Sequence, residues 1–297
     1  MNRNGILCID KPTGLTSHDV VSRVRRLTDT RKVGHGGTLD PLASGLLVLA
    51  IGRATRLLEY ILGQPKEYQA LVRLGQTSST YDGEGEIVDS GPVDVSESDL
   101  FAMLARFRGR IRQVPPMYSA LKRKGKPLYE LARQGVAVER EAREVTIYEL
   151  EMLSYEPPDV TLHIKCSGGT YIRSLAHDLG QALNSGAYLA GLRRTAVGLF
   201  QLNEAAPLQT LTADILLEHL QAMDSAVIHL PRLEVPGADA VRLATGQRIG
   251  RKAGEPAEEL VRVYDDENRF VGIARQEGDR WRPQKIFYDA DGAGGAS

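Results

Sequence analysis

One short stretch, His35-Gly36-Gly37-Thr38-Leu39-Asp40-Pro41, brings together an imidazole, two adjacent glycines and a carboxylate. An aspartate can attack carbon, accept a proton or stabilise positive charge as a leaving group departs. Taken alone, an aspartate before a proline is a turn former. The neighbourhood argues for more. Gly36 and Gly37 carry no side chain to hold a substrate backbone away, and the ring of His35 can act as a base or a stacking surface. The apolar run after Gly45 supplies rigid support. Further along, Tyr68 lies on an alternating segment and Arg173 follows Gly168-Gly169. Spacing alone makes the first a core residue and the second a surface arginine. The basic run Lys122-Arg123-Lys124 with Lys126 reads by itself as a solvated face.

The segment Lys32 to Gly45 closely resembles the catalytic motif of TruB-type tRNA pseudouridine synthases. Other segments match the same family in the same order. They are Lys11-Pro12; Lys66-Glu67-Tyr68 with Leu74 to Thr77 and Tyr81 to Gly85; and Gly168 to Leu175 with Asp178-Leu179-Gly180. The family's insertion has counterparts in Pro115 to Lys122 and Gly125 to Glu130, and Leu192-Arg193-Arg194-Thr195 completes the set. The resemblance spans residues 5 to 230. Many relatives carry His-Thr-Gly-Ala-Leu-Asp where this chain has His35 to Asp40; the histidine, second glycine, leucine and aspartate are kept.

The resemblance implies a stand-alone enzyme that converts uridine 55 in the T-loop of tRNA to pseudouridine. That reaction breaks the N-glycosidic bond, turns the uracil and joins C5 to the sugar. It involves no redox change or net hydrolysis, so no cofactor and no metal are expected. Asp40 would be the nucleophile, and three modes stay open for it: attack on the base, attack on C1′, or removal of a 2′ proton. Arg173 is expected to pair with Asp40, keeping the carboxylate ionised by lowering its pKa and fixing its orientation. Tyr68 should stack on the flipped uracil and take part in the final proton transfer. His35 should hold the opened RNA loop by stacking, without moving protons. Lys11 is carried over as a structural or RNA-proximal residue. Gly36, Gly37, Leu192, Lys122, Lys124 and Lys126 complete the expected substrate contacts. The target base must leave its stack, at a cost offset by stacking and phosphate contacts.

Several elements must position these groups. Gly5 to Asp10 is a short apolar strand ending in the turn Lys11 to Gly14. Thr16 or Ser17 can cap a helix whose apolar positions are Val20, Val21, Val24 and Leu27. Lys32 to Asp40 should be a loop, Leu46 to Ile51 a buried strand and Ala54 to Leu62 a short helix. Glu67 to Leu74 alternates and reads as a strand; Thr77 to Gly85 reads as a loop, and Ser96 to Phe107 as a helix started by Ser96. The irregular stretch Gln113 to Arg140 carries a short helix around Leu128 to Arg133 and reads as a mobile substrate-binding insertion. Thr146 to Tyr155 and Asp159 to Cys166 are antiparallel strands, and Tyr171 to Leu183 is a helix. After Pro231, strands at Leu260 to Tyr264 and Phe270 to Arg275 suggest a small all-β module.

The residues alone support an α+β class with a late all-β piece. The resemblance extends this to a pseudouridine synthase fold, an extended mainly antiparallel mixed sheet with flanking helices, plus a PUA-like C-terminal β module. The expected divisions are a catalytic domain at 1–230 with an RNA-binding insertion about 110–142, the module at 231–288, and a disordered tail at 289–297.

Hydrophobic residues make up 42% and charged residues 25%, as in ordinary globular chains with a sizeable core. No apolar run is long enough to span a membrane, and no signal-peptide pattern is present, so a cytoplasmic location is expected. Cys8 and Cys166 lie in apolar surroundings and read as buried free thiols. The net charge of −1 does not announce a nucleic-acid binder. The cations are clustered, however, at Arg23 to Lys32, Lys122 to Lys126 and Arg193-Arg194, while acids gather at Asp82 to Asp99 and Glu255 to Asp279. The expected partner is tRNA, with no membrane and no obligatory protein, and the enzyme is expected to be a monomer. Two competing readings are a guide-RNA-dependent relative with partner proteins, and a tRNA-folding chaperone in which catalysis is secondary. The continuous insertion favours a stand-alone enzyme, and intact Asp40, Tyr68 and Arg173 speak against a pure binding module.

Overall fold

The computed structural model describes residues 4–118, 122–123, 126–127, 138 and 140–288. Strands β1 (Gly5–Lys11), β2 (Val33–His35), β3 (Ala43–Ile51) and β4 (Lys66–Leu74) come first. A ribbon of β5 (Gln76–Ser78) and β6 (Ile87–Asp89) follows, then β7 (Gly109–Gln113) and the short pair β8 (Lys122–Arg123) and β9 (Lys126–Pro127). Next are β10 (Arg143–Glu156), β11 (Asp159–Cys166) and β12 (Ala187–Val197), with the short strands β13 (Phe200–Gln201), β14 (Ala206–Pro207) and β15 (Leu220–Gln221). The helices used below are α1 (Ser17–Thr28), α2 (Leu58–Leu62), α3 (Glu97–Arg106) and α4 (Ile172–Ala182).

One eleven-stranded sheet runs β14-β1-β3-β12-β4-β11-β10-β7, with β2 beside β3, β13 beside β12 and β15 beside β1. The β1–β14 and β3–β12 pairs are parallel and the rest antiparallel, so the sheet is mixed but mainly antiparallel. Apolar residues without alternation, as in Leu46 to Ile51, require cover on both faces. The structure provides it. One face meets Val20, Val21 and Val24 of α1, Leu100 and Leu104 of α3, and Leu175 and Leu179 of α4. The other packs Ile6, Cys8, Leu46 and Val48 against Leu57, Ile61 and Val227.

Thr16 caps α1 in a capping box. Its hydroxyl accepts from Asp19 N, and the Asp19 carboxylate accepts from Thr16 N. Ser96 caps α3 as expected.

From Arg232 a second, five-stranded sheet runs in the order β16 (Arg232–Val235), β18 (Leu260–Asp265), β19 (Phe270–Glu277), β20 (Arg280–Ile286), β17 (Ile249–Gly250). It is not all-β. The helix Gly237–Ala244 packs Ala240 and Leu243 into its core beside Trp281. The expected loop at Lys32 to Asp40 also needs correction, because Val33–His35 adds a strand to β3. Thr77 and Ser78 pair with Val88 and Ile87 in a ribbon. The segment from Gly52 opens as a 3₁₀ helix to Leu57, and only Leu58–Leu62 is α-helical. The helix expected around Leu128 to Arg133 and the tail at 289–297 lie outside the described residues.

Both cysteines are free and buried. Among the described residues no helix is long and apolar enough to cross a membrane.

Candidate active site

Asp40 sits where the chain leaves β2 and turns into β3, and its backbone is fixed from several sides. Ser17, the first residue of α1, is buried; its hydroxyl accepts from Leu39 N at 2.8 Å and donates to Leu39 O at 3.0 Å. Gly14 N donates to Pro41 O at 2.8 Å, and Ala43 N donates to Asp40 O at 3.0 Å. Gly45 then lets β3 run beside β12. Its φ is +98°, and a Cβ there would meet Arg194 O at 2.3 Å. The adjacent glycines also have an internal reason. A Cβ on Gly36 would meet Ile61 Cγ2 at 2.4 Å, and Gly37 holds a φ of +140°. Close packing at Gly36 and the backbone conformation at Gly37 therefore each favour glycine within the protein.

Arg173, from the first turn of α4, meets Asp40: Nη2 lies 3.1 Å from Asp40 Oδ2. The same guanidinium binds a second carboxylate, with Nη1 at 3.0 Å from Asp82 Oδ2. Nη2 also donates to Tyr118 O at 2.7 Å. Asp82 is in turn held by Thr80 Oγ1 and by Glu84 N at 3.1 Å. The two carboxylates differ in access. The Asp82 side chain is 1% exposed and the Asp40 side chain 41%. Only Asp40 can touch a substrate directly.

The electrostatics correct one expectation. Arg173 does pull the Asp40 pKa down, but burial outweighs it and the repulsion of Asp82 adds to burial. The carboxyl ends above the usual carboxylate value, with Lys11 and Arg194 opposing the rise more weakly. Arg173 limits the rise without reversing it.

Tyr68 lies mid-sheet on β4, opposite Arg194 in the β4–β12 register and Ile164 in the β4–β11 register. It is buried, and burial pushes its hydroxyl up to about 12 against the pull of Arg194. His35 is half-buried and its pKa is lowered, first by burial and then by Arg194, so the ring is neutral near pH 7. Lys11 is fully buried, and its Nζ donates to Pro12 O at 2.9 Å and Leu15 O at 2.7 Å. It braces the turn leading into α1, and it feels the charge of Asp40 without presenting a surface. Leu192 is half-buried on β12, paired with Ala43 and Ala70. Lys122 and Lys126 lie on the β8–β9 pair, and Lys124 is outside the described residues.

Three contributors were not singled out from the sequence. Arg194, grouped there with Arg193 among the clustered cations, is 1% exposed and donates to Leu46 O at 2.7 Å and Gly37 O at 3.0 Å. It ties the Asp40 loop to β12. Asp82 lies inside Tyr81 to Gly85, a segment to which the sequence attaches no separate role for it, and Ser17 reads from sequence only as a helix cap. Among the described residues no three His, Cys, Asp or Glu side chains are grouped to hold a metal ion.

Comparison with known proteins extends these findings. Residues 25–172 match the family model of the TruB family pseudouridylate synthase N-terminal domain. Residues 173–230 match that of the tRNA pseudouridylate synthase B C-terminal domain, and residues 231–287 that of pseudouridine synthase II TruB, C-terminal. The chain is 46% identical to tRNA pseudouridine synthase B of Burkholderia lata over 294 residues, 97% of this chain and 91% of that one. It is 45% identical to tRNA pseudouridine synthase B of Pseudomonas aeruginosa over 292 residues, 96% of each chain. A chain in the structure of an H/ACA RNP bound to a substrate RNA containing 2′-deoxyuridine aligns with a TM-score of 0.75 at 27% identity. That alignment covers 97% of this chain and 86% of the other.

Proposed function

We propose, on the premise that this chain belongs to the TruB family of pseudouridine synthases, that it converts uridine 55 in the T-loop of tRNA to pseudouridine without a guide RNA. The observation that carries the chemical assignment is the shared guanidinium. Of the two carboxylates on Arg173, Asp82 is closed off and Asp40 is exposed to solvent at 3.1 Å from Nη2. Asp40 is therefore the group that engages the nucleotide as the glycosidic bond breaks, and Arg173 fixes the direction in which it presents its oxygens. Asp82 holds the far side of the guanidinium.

The uracil must leave the RNA stack to reach Asp40, and the ring of Tyr68 offers it a new stacking partner. A hydroxyl at about 12 remains protonated near neutral pH, so Tyr68 meets the uracil as a neutral phenol ring. Neutral His35 suits a ring that fills the gap left by the flipped base. The protein supplies positioning and electrostatics throughout, which is what an isomerisation without redox change requires.

Mapping pseudouridine in unmodified tRNA after incubation with the protein alone tests the substrate assignment. Modification at T-loop position 55 is expected with no guide RNA or partner protein added. Modification only when a guide RNA is supplied would favour the guide-dependent reading. Binding of tRNA without any isomerisation would favour a chaperone.

A further inference from the structure

The segment Gln113 to Tyr118 leads from β7 toward the β8–β9 pair. In the structure it is fastened to the helix that carries Arg173. Gln113 ends β7 with its side chain fully buried, where an amide must find partners for both its ends. Nε2 donates to Tyr171 O at 2.9 Å, and Oε1 accepts from Tyr171 N at 2.8 Å. The amide thus satisfies both backbone groups of the residue at the start of α4, two positions before Arg173. Tyr171 makes no side-chain cap of its own. Ser174, also buried, donates from Oγ to Val114 O at 2.8 Å. Pro115 and Pro116 are buried, and Arg140 Nη1 donates to Pro115 O at 3.0 Å. The segment then delivers the carbonyl of Tyr118 to Arg173 Nη2 at 2.7 Å, the nitrogen that also reaches Asp40.

Each Nη carries two hydrogens. Nη2 donates to Tyr118 O and forms an ion pair with Asp40 at 3.1 Å; Nη1 donates to Asp82 and, at 3.5 Å, to Thr80 O. A shift of α4 by a fraction of a turn, or loss of the Tyr118 carbonyl, would swing Nη2 off Asp40.

We propose that Gln113–Tyr118 is a positioning device for the active-site guanidinium, in which Gln113 sets the start of α4 and the Tyr118 carbonyl aims Arg173 at Asp40. Gln113 is a positioning residue; it touches no reacting atom. The inference rests on the functional reading above. It also links the insertion to the carboxylate through one shared nitrogen.

The test is steady-state tritium release from C5-labelled uridine in a T-stem-loop RNA, across pH, for wild type, Gln113→Leu and Ser174→Ala. Gln113→Leu is expected to lower kcat about ten- to a hundredfold, as displacement of a catalytic group does, with KM changed less than about twofold. Its acid limb of kcat/KM should also move to higher pH, because a displaced Arg173 opposes burial less. The other groups facing Asp40 stay in place: Lys11 on β1, Arg194 on β12, and Asp82 and Glu84 after β5. Ser174→Ala should show the same pattern, smaller, and decides the matter if Gln113→Leu does not fold. A merely structural role would lower the amount of folded enzyme and leave the limb where it was. Wild-type kcat in both variants, or an unmoved limb, would overturn the inference. A wild type that releases no tritium would overturn the functional reading itself.

Discussion

At the scale of single residues, the site is a balance of opposed influences on Asp40. Burial and Asp82 push its carboxyl up, while Arg173, Lys11 and Arg194 hold it down. The proposed role of Asp40 requires its ionised form, so kcat/KM should fall as pH drops through a pKa above the ordinary aspartate value. In Arg173→Ala that acid limb should move to still higher pH, alongside a large loss of rate; a pH profile with an unmoved limb would contradict the balance. Lys11 gives a second prediction. Burial lowers its ammonium from 10.5 to about 8 in the folded protein. Between those values the unfolded chain binds more protons, so this residue's contribution to stability rises with pH. Urea midpoints of wild type and Lys11→Met should therefore diverge in favour of wild type from pH 8 to 10; a constant difference would contradict it. Asp40 and Arg173 were legible in the sequence because each sits in a motif whose order is kept along the chain. Asp82 and Arg194 were not. Whether an aspartate or arginine is buried depends on which strand lies beside it, and the spacing of residues does not encode that.

Among the elements, strands and caps were read well and the short pieces were not. Alternation at Glu67 to Leu74 and the apolar run at Leu46 to Ile51 gave strands because each pattern matches a burial requirement. Val33–His35 escaped because three residues beside two glycines carry no period, and the strand exists only through its pairing with β3. The helix in the C-terminal module is eight residues long, with too few turns to display a stripe. Ser17 shows an element acting on the site. Its hydroxyl holds both backbone groups of Leu39, so Ser17→Ala should cost about 1–3 kcal/mol by leaving them unpaired, and it should lower kcat through the neighbouring Asp40. Thermal unfolding and tritium release together check this; unchanged values in both would refute it. Gly45→Ala should be worse, since the new Cβ meets the Arg194 carbonyl on a backbone that favours glycine.

On the scale of the whole molecule, the two sheets share a core. Ile273 and Phe287 of the C-terminal module join the cluster of Ile6, Leu57 and Val227, and Arg56 lies 4.9 Å over the Phe287 ring while donating to Ile286 O. Phe287→Ala should therefore cost about 3–5 kcal/mol, as removal of a buried phenylalanine does, and unfolding should remain one transition in circular dichroism. A separate early melting of the module would contradict this. The strand patterns after Pro231 made the second sheet legible, but they carry no sign of this shared core, which depends on side chains from both sheets. What all these scales serve is the placement of one carboxylate. Tritium release from C5-labelled uridine in a T-stem-loop RNA, with wild type and Asp40→Asn compared at equal RNA affinity, tests that claim most directly. Wild type should release tritium and Asp40→Asn should bind the RNA and release none; equal release by both proteins would contradict the account.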